Sequence, residues 1–156
     1  MEIKGDKPED ELYKGRISYL LGENKDAISY LEKAKEHKQM LASYYLGLAY
    51  DANGDSDKAK KCIAEYIKSG VATSYDLYEL GMQEMQDGNY KNALTYFNSG
   101  LELEKVPNKQ NLMKSAIAAY EYSGDFDSAK KMIKEYLKAY PDDEEAKHEN
   151  TFLETR

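Results

Sequence analysis

The sequence predicts an all-α fold, a solenoid of four helical hairpins with a short helix closing its C-terminal end. Three observations predict it. First, a ten-residue phrase is written four times: GENKDAISYL from Gly22, GDSDKAKKCI from Gly54, GNYKNALTYF from Gly88 and GDFDSAKKMI from Gly124. Its alanines, Ala27, Ala59, Ala93 and Ala129, lie 32, 34 and 36 residues apart, and a period of that size is the mark of stacked helical repeats. Second, fixed positions around each alanine keep their character. Four residues after it comes Leu31, Ile63, Phe97 or Ile133, and twelve before it comes Gly15, Gly47, Gly81 or, in the fourth copy, Ile117. Third, only 3 prolines and 10 glycines interrupt 156 residues, which favours long helices. The length is enough for one domain with a sizeable core, and 1–156 is expected to form one.

The hairpins follow in order. ELYKGRISYLLG makes a thin first helix that turns at Gly22 into a second carrying Ala27 and Leu31. His37 falls near the end of that second helix, where a cation is favoured. In the second unit, MLASYYLGLAYDAN is a run of good helix formers and aromatics. Leu41, Tyr44, Tyr45, Leu46, Leu48, Ala49 and Tyr50 cover nearly its whole circumference. Such a helix is buried on most sides or offers one side to a ligand. Gly54 closes it in the left-handed conformation, and Asp55 or Ser56 caps the next helix. There Ala59, Ile63, Tyr66 and Ile67 share one stripe, with Lys58, Lys60, Lys61, Glu65 and Lys68 elsewhere, and Gly70 ends it. Gly47 and Ala59 are expected to meet across the hairpin, because small residues let two helix axes approach.

The third unit repeats the pattern with Gly81, Gly88, Ala93 and Phe97. A long link, LEKVPNKQ, leads to the fourth, where Ile117 replaces the glycine. Gly124 closes its first helix, Asp125 or Asp127 starts the second, and Ala129 and Ile133 enter the shared core. After Pro141, DDEEAKHENTFLE predicts a capping helix. Asp142 and Glu145 have capping-box spacing, and Phe152 with Leu153 would lie over the last hairpin, as a solenoid end requires. The first unit has no such cap before it. Either residues 1–8 supply one or the protein continues upstream.

These residues resemble the tetratricopeptide repeat family, whose unit carries a small residue at its eighth position, Ala at the twentieth, a large apolar residue at the twenty-fourth and often Pro at the thirty-second. Here the eighth position is Gly15, Gly47, Gly81 and Ile117, the twentieth is the four alanines, and Pro141 is the thirty-second of the last unit. The aromatic usual at the eleventh is met by Tyr50 and Tyr120. The repeats would run about 8–39, 40–73, 74–107 and 108–141, with a capping segment 142–156. The resemblance implies a right-handed superhelical solenoid of antiparallel helix pairs, with first helices lining a concave groove. On its groove positions it implies a partner-binding face: Leu12, Arg16 and Tyr19; Leu41, Tyr44 and Leu48; Tyr75, Tyr78, Met82 and Met85; Asn111, Lys114, Glu121 and Tyr122. Tyr and Met are enriched at interfaces, and Met repacks around varied partners. Family members that hold acidic chaperone tails use Lys at the fifth position and Asn at the ninth. Here those pairs are Leu12/Arg16, Tyr44/Leu48, Tyr78/Met82 and Lys114/Ala118. None matches, so an apolar or aromatic anchor is the expected ligand.

Composition limits the other classes. The net charge of −7 and pI of about 5.0 argue against a nucleic-acid partner, which needs clustered Lys and Arg. No apolar run reaches a membrane span. One cysteine, Cys62, leaves no disulfide and no Cys-based zinc site. Lys60 and Lys61 beside it would lower its pKa slightly, though a half-buried structural thiol is the plainer reading. His37 and His148 are the only histidines, no HExxH spacing or phosphate-binding glycine loop occurs, and the paired acids 142–145 read as caps and solvated charge. No enzyme, metal or cofactor is expected. The expected function is a non-catalytic interaction scaffold that binds a peptide or helical segment in a Tyr/Met-rich groove; the alternative is an assembly subunit that uses the same face for homo-oligomerisation. The chain reads as cytoplasmic if Met1 is its native start and as extracytoplasmic if a leader was removed. Its Lys- and Tyr-rich character suggests a bacterial origin.

Overall fold

The computed structural model describes residues 7–156, and these form helices joined by short turns. The helices are α1 (Pro8–Leu20), α2 (Asn24–Glu36), α3 (Met40–Ala52), α4 (Ser56–Lys68), α5 (Ser74–Gln86), α6 (Tyr90–Leu101), α7 (Lys109–Tyr122), α8 (Phe126–Ala139) and α9 (Glu144–Glu154). The all-α solenoid of paired helices is as expected. The chain divides into two compact units, the first ending at Ala72 and the second running from Thr73 to Arg156. In the first, α1 packs on α2, α2 on α3 and α3 on α4. In the second, α5 packs on α6, α6 on α7, α7 on α8 and α8 on α9. The N-terminal cap expected from residues 1–8 falls largely on 1–6, outside the described residues.

The repeated phrase has one geometry in all four places. Gly22, Gly54, Gly88 and Gly124 have φ between +75° and +87°, a region that side-chain-bearing residues avoid. At Gly54 the chain makes two reverse bonds: Gly54 N–H donates to Asp51 O (2.9 Å) and Asp55 N–H to Tyr50 O (2.8 Å). This paired pattern satisfies carbonyls that the helix end would leave orphaned. The residue after each glycine (Glu23, Asp55, Asn89, Asp125) is also the N-cap of the next helix. One residue therefore ends one helix and begins another, which is why the phrase is short and invariant in length. Of the two candidates at each start, Asp55 and Asp125 are the caps, and the Asp125 carboxylate accepts from Ser128 N at 3.1 Å.

The turn after α2 copies this pattern without glycine. Lys38 sits at φ +60°, with Gln39 N–H donating to Ala34 O at 3.2 Å. A left-handed lysine carries a strain of about 1–2 kcal/mol, of which glycine's extra chain entropy takes back about 0.5–1. Lys38→Gly should therefore raise stability by about 0.5–1 kcal/mol. A chemical denaturation midpoint that is unchanged or lower would contradict this reading of the turn.

The eighth-position glycines have a packing cause. A Cβ on Gly15 would lie 2.5 Å from Leu31 Cγ, on Gly47 2.6 Å from Ile63 Cδ1, and on Gly81 2.3 Å from Phe97 Cε1. Each glycine thus receives the large residue at the twenty-fourth position of its own unit. The expected meeting of Gly47 with Ala59 is present but secondary, through the Ala59 carbonyl oxygen at 3.3 Å. In the fourth unit Ile117 takes the glycine's place and shares one core cluster with Ala129 and Ile133.

The link before α7 is anchored by Asn108, its N-cap, which is buried and donates to Ser74 O at 3.1 Å. At the C-terminus two expectations shift. The N-cap of α9 is Asp143, not Asp142, and its side chain accepts from Ala146 N at 3.0 Å. Leu153 is fully buried over the last hairpin, whereas Phe152 is 44% exposed and faces the Arg156 guanidinium at 4.7 Å.

Candidate partner-binding face

In the first unit the expected groove residues converge on one side chain that sequence reasoning left out. Tyr45, on α3, has the Arg16 guanidinium 4.9 Å from its ring centre. The Tyr19 ring stands 6.4 Å away, and the Tyr44 ring meets it edge-on at 5.2 Å. Arg16 is exposed, while Tyr19, Tyr45 and Leu48 are half-buried. An arginine over an aromatic face is favoured by the ring quadrupole and by lost hydration. Tyr44 is placed differently. It is only 8% exposed and lies 5.3 Å from Tyr66 of α4, itself buried. Tyr44 therefore supports Tyr45 from beneath, and Tyr19, Tyr45 and Arg16 form the accessible surface. Leu12 is half-buried against the same core. The doublet Tyr44–Tyr45 was the available signal, but two adjacent tyrosines on an all-round apolar helix do not say which one faces inward.

In the second unit Tyr78, Met82 and Met85 of α5 lie half-buried against the cluster of Ala93, Phe97, Leu112, Ala116 and Ala119. The Tyr78 ring stands 6.2 Å from Phe97, and Ser115 Oγ donates to Met82 Sδ at 3.6 Å. Tyr75 sits a turn earlier and is 56% exposed. Tyr122, at the end of α7, is 68% exposed and stacks on Tyr90 of α6 at 5.3 Å. Tyr90 was missed because it belongs to a second helix, outside the positions from which the groove was read.

Lys114 does not join that apolar surface. Its ammonium is bound by Asp143 at 2.9 Å and by Glu145 at 3.3 Å, and the hydrogen bond it donates to Asp143 is the main reason it stays protonated well above the usual lysine range. The same contact, with one from Tyr136, holds the Asp143 carboxyl well below its ordinary range. Lys114 and Glu121 line a cavity of about 210 Å³ with Ile117, Tyr136, Glu145 and Glu149. Asn111 is exposed.

His37, the residue that caps the end of α2, and His148, on α9, are both exposed. Cys62 is buried, and burial pushes its thiol up, outweighing the nearby Lys35 and Lys61; the expected lysine-lowered thiol is thereby corrected. Among the described residues no group of three or more His, Cys, Asp or Glu could hold a metal ion, and no helix is long and apolar enough to cross a membrane.

The family model described as Tetratricopeptide repeat matches residues 41–69 and 110–143. No curated protein matches the sequence. Among solved structures, MamA 41-end from Desulfovibrio magneticus RS-1 has a TM-score of 0.64 at 18% identity, covering 97% of this chain and 86% of that one. A MamA RS-1 double mutant has a TM-score of 0.65 at 17% identity, over 97% of this chain and 85% of that one. The kinesin light chain TPR-like repeats of Podosopora anserina give 0.60 at 15% identity, with coverages of 96% and 87%.

Proposed function

Because the chain is built from tetratricopeptide repeats, we propose that it is a non-catalytic scaffold that holds a protein partner on the tyrosine- and methionine-rich faces of its first helices. Proteins of this fold are, in general, protein–protein interaction scaffolds that bind protein partners. The observation that carries the reading is the Arg16–Tyr19–Tyr45 surface over a buried Tyr44. It presents a cation and the outer sides of two half-buried tyrosine rings to solvent, while the rings also pack on the core beneath. Tyrosine loses little entropy on ordering and contributes large contact area, and arginine with tyrosine leads binding hot spots. In the second unit Tyr75, Tyr78, Met82, Met85 and Tyr122 extend the same chemistry, and the flexible methionines suit an extended or helical segment with apolar anchors. Lys114, already held by two carboxylates, contributes shape rather than charge.

The test uses residues that are exposed or half-buried rather than fully buried. Arg16, Tyr19, Tyr78 and Met85 are changed together to Ala, and retention of partners identified by mass spectrometry is compared with the parent chain. Loss of the specific partner by tenfold or more, on the order of 1.4 kcal/mol, is expected with an unchanged helical spectrum. Undiminished retention would sink the reading. If sedimentation instead shows a stable homodimer that the same changes dissociate, the face serves assembly.

A further inference from the structure

We propose that Glu121, set against Glu149, forms a pH-sensitive latch that docks the terminal helix α9 against α7 and α8 while the Glu121 carboxyl keeps its proton, and loosens it when that carboxyl ionises. The inner stripe of α9 is the reason to look there. Ala146 and Leu153 are buried as a capping helix requires, but Glu149 and Asn150 lie between them, half-buried. An apolar residue at those positions would seal the hairpin better. Opposite Glu149, α7 presents not an apolar residue but Glu121, and the two glutamates line one cavity of about 210 Å³. Glu121 Oε1 is buried there without a hydrogen-bond partner, a costly arrangement that native proteins rarely keep without a use.

The surrounding charges do not relieve the pair. From α7 comes Lys114, the one cation lining the cavity among the described residues, and its ammonium is engaged by Asp143 and Glu145. From α8 comes Tyr136, whose hydroxyl donates to Asp143. From α9 comes a further acid, Glu145. His148 is exposed and does not line the cavity. Burial first, and then the Glu149 charge and hydrogen bond, push the Glu121 carboxyl up to about 7.

The direction follows from linkage. The docked state binds this proton more tightly than the undocked one, so the docked state is favoured in full below the ordinary glutamate range. That preference is lost as pH rises through about 7. Above it the proton leaves to solvent and two like charges share one cavity. What loosens is the lid over Ile117, Ile133 and Tyr136, so the C-terminal end would uncover apolar surface as the medium turns from mildly acidic to mildly basic.

Carboxyl-carbon NMR of the full chain tests this. Glu121 should titrate near neutrality, and the α9 backbone amides should shift with the same midpoint. Their protection from exchange, corrected for intrinsic rates, should fall about tenfold between pH 6 and 8, the equivalent of one pKa unit of differential interaction for a part-exposed pair. Glu121→Gln should abolish the pH dependence of α9 while α5–α8 stay folded; Glu149→Gln should do the same, and serves if the first variant does not fold. A Glu121 midpoint near that of an ordinary glutamate would overturn the latch, as would α9 protection that ignores the titration or a pH dependence that survives both substitutions.

Discussion

Phe97→Ala should destabilise the second unit by about 3–5 kcal/mol, the range for deleting a fully buried aromatic side chain. Phe97 has no exposed surface. Its ring occupies the space that Gly81 leaves, so close that a Cβ there would stand 2.3 Å from Cε1, and it touches the ring of Tyr78. Relaxation cannot close the resulting hole cheaply, because interiors are packed at crystal-like density. Chemical denaturation measures the loss. The pairing also makes a sharper claim through a double-mutant cycle. Gly81→Ala should be costly in the parent, where the ring cannot give way, and close to neutral beside Phe97→Ala, where there is room. Equal costs in both backgrounds would mean that the glycine and the ring are not coupled.

Tyr136→Ala should be comparably severe, about 3–5 kcal/mol. This ring is fully buried in the cluster that joins α7, α8 and α9. Its hydroxyl donates to Asp143 and accepts from Gln110 Nε2 at 2.8 Å. Tyr136→Phe separates the two contributions. It keeps the packing and strands the two polar partners, so it should cost about 1–2 kcal/mol, in line with a part-buried hydrogen bond to a charged group. Thermal or urea unfolding checks both variants. If the phenylalanine variant is as damaging as the alanine one, the hydroxyl network rather than the ring holds the cap.

The repeated phrase made the hairpins readable because its constraints are local. A helix closed by a left-handed glycine and reopened one residue later can be read from ten residues; the four-residue offset from Ala93 to Phe97 follows from helix periodicity, and the twelve-residue offset back to Gly81 from the fixed length of the turn between α5 and α6. What was illegible depends on contacts far apart in sequence. Asp142 and Asp143 look alike as caps. Asp143 takes the role and, from there, also reaches Lys114 and Tyr136. Tyr44 and Tyr45 look alike as binding residues; Tyr66, on the next helix, lies against the first and leaves the second half-exposed. Lys114 stood among the groove positions, where the sequence does not show that two acids from the terminal segment bind it. Glu121 stood among the groove positions, but its opposition to Glu149 belongs to how α9 folds back, which no short-range pattern encodes.

The central claim is that residues on the first helices choose the partner while the phrase between helices holds the scaffold. A photo-crosslinking amino acid placed singly at Tyr19, Tyr75 or Tyr122, and in parallel at the exposed second-helix positions Lys60 and Lys131, measures this directly. The account predicts one common partner crosslinked from the first-helix positions and only background from Lys60 and Lys131. Equal or stronger crosslinking from the second-helix positions would contradict it.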